Sequence, residues 1–272
     1  MIPAPTMKSA RILSLDVLRG ATVALMILVN NAGGGSVSYG ELRHSAWNGC
    51  SLADVVFPMF LFIVGASIAI ALPRRLERGD SQAAVLTQVF KRAALIAAIG
   101  LLLNALPMFQ MGELRYYGVL QRIALCYLFA SVIFLYGRAP ACAAAVVVAL
   151  AGYWLLLCCV PVPGYGLPGI NVPLLDPHGN LTAWLDRWLV PAAHLYHQGF
   201  YDPEGLLSTM PAVATTLFGT LSILWLRGAS TGRQKSTRLL LCGVLLLCGG
   251  LAWGQSFPLN KRLWTSSFVL FN

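Results

Sequence analysis

Residues 42 to 65 read LRHSAWNGCSLADVVFPMFLFIVG, with a histidine, a tryptophan, an asparagine and an aspartate set directly before a long apolar run. His44 is the residue here best suited to chemistry. Imidazole titrates near neutrality and can take a proton from an amine or hydroxyl nucleophile. Trp47, Asn48 and Asp54 surround it in a short segment. Asp54 either orients the ring or caps the helix that follows. Pro58 would free backbone groups in the first turns of that helix, which spanning helices tolerate where protein or water re-satisfies them. Upstream, Asn30 and Asn31 close another apolar run just before AGGG. They either end a helix ahead of glycine, or one amide enters a site and orients a substrate carbonyl or His44. No Lys-Ser or Lys-Thr follows Gly33–Gly35, so the triplet reads as a flexible loop rather than a phosphate cradle.

Other polar residues sit within apolar surroundings. Asp16 and Arg19, three apart, face the same way on a helix. They form either an intrahelical ion pair or the polar floor of a pocket, since ionisable groups are costly in lipid. Gln121 and Arg122 open a further apolar run. A pairing of Arg122 with Asp54 or Glu113 is as plausible as a direct role. His194 and His197 with Asp202 invite a metal reading, but no second carboxylate is fixed beside them and no metal is expected. The seven cysteines lie mostly inside apolar runs and form no spaced metal framework, so they read as free thiols acting as small apolar residues. Asn180-Leu-Thr182 is a glycosylation sequon, meaningful only in a eukaryotic secretory compartment.

What must hold these residues is a membrane bundle. Of 272 residues 57% are hydrophobic and 11% charged, with mean hydropathy +0.71, against about 25% charged in a soluble domain. The fold class is all-α, a polytopic transmembrane helix bundle. A span needs about 20 apolar residues, and seven complete candidates occur at 14–32, 53–72, 90–107, 118–136, 140–160, 206–227 and 238–255. An eighth begins near Leu263 and is cut off at Asn272. The first 20 residues lack the pattern of a cleaved signal peptide.

The net charge of +9 is spread along the chain and signals no nucleic acid partner. Setting aside Arg19 and Arg122 within helices, Arg43, Arg115, Arg187, Lys261 and Arg262 fall on one side, and the other twelve basic residues fall on the N-terminal side. The N-terminus is therefore expected in the cytoplasm. Segment 161–205 becomes a non-cytoplasmic loop. Within it Leu181, Trp184, Leu185, Trp188 and Leu189 recur at helical spacing, as in a short helix lying on the membrane surface. With no internal repeat or linker, residues 1–272 are expected to form one domain.

Six stretches then appear together and in order: SLDVLRG (14–20), MILVNNAG (26–33), HSAWNGCSLADVVFPMFLFIVG (44–65), GVLQRIALCY (118–127), YDPEGLLSTMPAVATTLFG (201–219) and FPLNKRLWTSSFVL (257–270). The set resembles the heparan-alpha-glucosaminide N-acetyltransferase family and its bacterial relatives, within the wider transmembrane acyltransferase group. That resemblance implies transfer of acetyl from cytoplasmic acetyl-CoA across the membrane to the amine of a sugar. It implies His44 as the catalytic residue, acting as base or as transient acyl carrier. Asn30 matches the asparagine ending the first helix, with Asn31 the neighbouring candidate.

His44, Asn30 and Asp54 are thus expected to carry catalysis, Asn31, Trp47 and Asn48 to meet the acceptor, and Asp16, Arg19 and Arg122 to meet acetyl-CoA. The acceptor is expected to be a cell-envelope amino sugar or glycan, and the location a bacterial inner membrane, or a lysosomal-type membrane in a eukaryote. Neither metal nor flavin is required. Family members continue through several further spanning helices, which makes self-association a further expectation. A transporter of a small polar solute and a non-catalytic family member are the alternatives.

Overall fold

The computed structural model describes residues 13–33, 39–106, 111–227 and 232–272. Lys8 and Arg11, Gly34 and Gly35 of the glycine triplet, and residue 107 of the third expected span lie outside the described residues. Among those described, structure is helical with no strand: α1 (Leu13–Asn30), α2 (Leu52–Glu77), α3 (Gln82–Ala105), α4 (Val119–Cys159), α5 (Leu181–Leu189), α6 (Thr209–Leu226), α7 (Gly232–Gly254) and α8 (Ser266–Phe271). Six of them, α1, α2, α3, α4, α6 and α7, are long and apolar enough to cross a membrane.

Differences from the expected spans have local causes. Helix α3 starts at Gln82 rather than 90 because the Ser81 hydroxyl accepts the Ala84 N–H at 3.2 Å, a cap that hydropathy does not register. Helix α2 runs on past residue 72 through Arg74 and Arg75, cations favoured at a helix C-terminus.

The expected fourth and fifth spans lie on either side of a break in α4 at Arg138, whose φ of 53° and ψ of −150° cannot continue a helix. In a straight helix Phe129 and Ala149 would lie about 30 Å apart. Both instead line one apolar groove of about 330 Å³ with Ile133 and Ala145. The chain turns back on itself at Arg138. Pro140 follows two residues later, where a missing N–H is tolerated at the start of the returning segment.

Helix α6 is the centre of the bundle, packed against α2 and α4. Its approach to α2 is as close as backbones allow. A Cβ at Gly65 would overlap the Thr216 carbonyl, and one at Gly219 would overlap that of Phe62. Thr220 Oγ1 donates across the same contact to the Gly65 carbonyl at 3.0 Å. Small residues and a bridging hydroxyl are what hold helices together in lipid, where apolar surface alone gives little drive. Helix α5 forms over the expected stretch, capped by Asn180 accepting the Ala183 N–H at 2.8 Å. It buries Thr182, Ala183 and Asp186 and leaves Trp188 and Leu189 exposed.

Candidate active site

The start of α2 fixes the polar cluster. Ser51 is the N-cap and Asp54 the third residue of the helix. Oδ2 of the fully buried Asp54 accepts the Ser51 N–H (3.0 Å), the Ser51 hydroxyl (3.0 Å), the Ser45 N–H (3.1 Å) and the Ser45 hydroxyl (2.8 Å). Oδ1 is left to face His44 Nδ1 at 2.8 Å and Lys261 Nζ at 3.4 Å. Asp54 therefore both caps the helix and orients the histidine. Lys261 Nζ also approaches His44 itself, 2.9 Å from Nδ1 and 3.3 Å from Nε2. Nδ1 cannot donate to Asp54 and accept from Lys261 at once. The buried carboxylate, fixed by four donors, favours Nδ1–H toward Oδ1, which leaves the Nε2 lone pair as the base.

Lys261 reaches this point because two loops are joined. The Gly49 N–H donates to the Leu259 carbonyl at 2.8 Å, and Asn260 Nδ2 donates to Asn48 Oδ1 at 3.1 Å. Gly49 takes φ of 113°, a region that favours glycine. Trp47 Nε1 donates to the Leu175 carbonyl at 2.7 Å and its ring meets Tyr201 edge-on at 5.2 Å. Trp47 and Asn48, expected to touch the acceptor, tie the His44 loop to the 175, 201 and 260 segments. Burial lowers the Lys261 pKa below its usual value, against the opposing pull of Asp54 and Glu204. Burial, then the Asp54 charge, pushes the Cys50 thiol up to about 12, with Lys261 opposing.

His44, Asp54 and Lys261 open onto a cavity of about 410 Å³. Its apolar wall comes from Met26 and Val29 of α1, Val56, Phe57 and Phe60 of α2, Leu120 and Ile123 of α4, and Trp264; Asn30, Arg115, Glu204 and Arg262 add polar groups. Of the two asparagines, Asn31 completes the helix end, its Nδ2 donating to the Ile27 carbonyl at 2.8 Å, and Asn30 lines the cavity. A reacting acyl group held here would have the imidazole, an amide and an ammonium around it and apolar walls beside it.

An acidic network runs outward from the cavity wall. Arg115 donates to Asp202 from Nε (2.9 Å) and Nη2 (2.5 Å), and to Glu204 at 2.5 Å. Burial opposes the charge on Arg115, but these carboxylates outweigh it and hold its pKa above the ordinary value. Asp186 Oδ2 accepts the Asp202 N–H at 3.1 Å, while its buried Oδ1 has no partner among the described residues. Burial, with the Asp202 charge adding, raises Asp186 to about 7. Burial and the same two carboxylates raise Tyr117 to about 12. His194 turns to the Leu114 carbonyl at 2.8 Å and stacks on Tyr116, and Asp202 is taken by Arg115. Among the described residues no group of three histidines, cysteines or carboxylates is placed to hold a metal.

Asp16 and Arg19 pair at 3.1 Å, and Arg19 also donates to Ser67 at 3.1 Å. They stand outside the cavity, toward the opposite end of α1 from Asn30. Arg122, 1% exposed, pairs with neither Asp54 nor Glu113. It donates to the Gly205 carbonyl at 3.1 Å and to Ser208 Oγ, and its guanidinium lies 5.2 Å from the centre of the Trp264 ring. It braces one wall of the cavity from behind.

Sequence reasoning passes over Lys261, Arg262, Arg115 and Glu204 as parts of a site. Their signal was available. NKR directly precedes an apolar run, as HSAWNGCSLAD does, and two such clusters at the same membrane side can meet.

The family described as heparan-alpha-glucosaminide N-acetyltransferase, catalytic, matches residues 11–168. The human protein named heparan-alpha-glucosaminide N-acetyltransferase is 30% identical over 95% of this chain and 46% of its own length, and the mouse protein of that name 29% over the same shares. The chain thus spans slightly under half the length of these curated relatives. With more than half its residues matched by the family and nearly all of it aligned to both relatives, the chain belongs to the heparan-alpha-glucosaminide N-acetyltransferase family of transmembrane acetyltransferases.

Proposed function

We propose that this chain carries the acyl-transfer site of a membrane enzyme that moves acetyl from cytoplasmic acetyl-CoA to the amine of an amino sugar or glycan on the opposite side. The observation that carries this reading is His44, fixed by the buried Asp54 and facing, with Asn30, into one cavity. In direct transfer, Nε2 removes a proton from the acceptor nitrogen as that nitrogen attacks the thioester carbonyl. The developing oxyanion takes a hydrogen bond from the Asn30 amide or the Lys261 ammonium. Collapse forms the amide and breaks the carbon–sulfur bond, and the imidazolium returns its proton to the departing thiolate. In the acyl-carrier alternative Nε2 itself attacks the thioester carbonyl and the thiolate leaves. The acceptor amine then attacks the acyl-imidazole, the amide forms as the carbon–Nε2 bond breaks, and the amine proton passes to the thiolate. Lys261 Nζ stands 3.3 Å from Nε2 at rest, so the acceptor amine in direct transfer, or the thioester in the acyl-carrier route, must displace it.

The same reading has seven spans, counting the two halves of α4 separately, with the N-terminus in the cytoplasm and residues 161–205 outside. Asp16 and Arg19 then lie at the cytoplasmic end, where Arg19 is placed to attract the phosphates of the donor. A bacterial inner membrane is the location this reading favours. The test is transfer of radiolabelled acetyl from acetyl-CoA to glucosamine by purified protein in detergent. His44→Ala is expected to lower the rate about 10²–10⁴-fold. Equal transfer by His44→Ala and wild type would overturn the assignment.

A further inference from the structure

The charges on the cavity wall do not balance pair by pair. Arg115 is taken by Asp202 and Glu204, and Lys261 by Asp54. That leaves Arg262. Its partner among the described residues is the neutral Tyr201 hydroxyl, which accepts from Nη1 at 2.5 Å, and no carboxylate lies within ion-pair distance of it. A partly buried guanidinium beside an apolar cavity is disfavoured unless an anion meets it, and its planar fork suits a carboxylate or phosphate. Tyr201 in turn packs on Trp47, which the Leu175 carbonyl holds, so Arg262 is anchored at one end and open at the other.

Building on the acyltransferase reading, we propose that Arg262 is a specificity residue that receives an anionic group carried by the acceptor, so that the preferred substrate is an amine also bearing a carboxylate or phosphate. Arg262 is the chain neighbour of Lys261, which touches both nitrogens of His44. Arg262 and His44 line the same cavity, so the group it binds shares that cavity with the reacting centre. The phosphates of coenzyme A sit at the far end of the pantetheine arm from the thioester, which makes them the poorer match. Glu204, on the same wall, is turned to Arg115 and does not compete.

The test compares glucosamine, glucosamine 6-phosphate and muramic acid as acceptors for wild type, Arg262→Gln, Arg262→Lys and Tyr201→Phe. One anionic sugar is expected to show a KM about tenfold or more below that of glucosamine. Arg262→Gln should abolish that advantage, raising the KM of the anionic sugar about tenfold toward that of glucosamine. Arg262→Lys should restore part of it, and Tyr201→Phe should weaken it in the same direction. Equilibrium binding of the two anionic sugars and of coenzyme A, without acyl donor, separates the claims. Absent turnover with all acceptors would reject the acyltransferase reading, while Arg262-dependent binding of an anionic sugar would still support the subsite. Equal KM and equal binding for neutral and anionic sugars would overturn it. So would loss of coenzyme A binding alone in Arg262→Gln, which would assign the residue to the donor.

Discussion

Asp54→Asn separates the architecture of the site from its chemistry. The four donors of Ser45 and Ser51 all point at Oδ2, so they hold the new amide with its oxygen in that place. The amide NH₂ then replaces Oδ1, facing His44 Nδ1 and Lys261 Nζ. An NH₂ donates, so Nδ1 must become the acceptor and the ring proton moves to Nε2. The base has then lost its lone pair where the acceptor amine arrives. The same substitution behind a serine-protease histidine costs about 10⁴ in kcat, and a similar loss of about 10³–10⁴, or about 4–5 kcal/mol of barrier, is expected here. Stability should fall far less. The four retained bonds lose only their charge assistance, whereas Asp54→Ala would strand every donor and cost about 3–5 kcal/mol. The assay is kcat for acetyl transfer, with thermal unfolding in detergent as the control for folding. Nitrogen chemical shifts of labelled histidine would report the tautomer directly. An Asp54→Asn protein keeping more than about a tenth of wild-type activity would refute the assignment of Asp54 as the group that sets the tautomer.

Other outcomes follow from the surroundings. Asp186 in the folded protein sits near 7 against an ordinary 3.8, so the native state holds the proton more tightly than the unfolded chain. Its contribution to stability is therefore present below about 4 and lost as pH rises toward 7. Thermal midpoints of wild type should fall across that window relative to Asp186→Asn, which stays uncharged; parallel pH profiles would reject the shift. Cys50, with its thiol pushed up to about 12, is protonated at working pH and no rival nucleophile. Cys50→Ser should keep activity within about twofold and wild-type Cys50 should resist alkylation at pH 8; a loss beyond tenfold would return the thiol to the chemistry.

The expected helices were legible because each carries its own signal, an apolar run of bilayer length. Differences fell where the signal is polar, as in the first turns of α3, while the break at Arg138 falls between the expected fourth and fifth spans. The site was half legible. His44 and Asp54, grouped in the sequence, line one cavity with Asn30, which the family resemblance marks. Trp47 and Asn48 flank the histidine in sequence; in the fold Trp47 Nε1 reaches Leu175 and Asn48 Oδ1 reaches Asn260, contacts that no local pattern announces. Arg122 looked like a ligand for a charge, yet its partners are Ser208 and a backbone carbonyl over eighty positions away.

The sequence by itself determined that the chain is a membrane helix bundle and that residues 44–54 form a polar cluster at one helix end, because hydropathy and capping act over neighbouring residues. Only the tertiary structure decided that Lys261, 217 positions from His44, completes that cluster and that, among the described residues of the cavity wall, Arg262 is left without a carboxylate. Those pairings depend on which loop ends the bundle brings together. A lysine before an apolar run is the same in sequence whether it faces solvent or a buried aspartate.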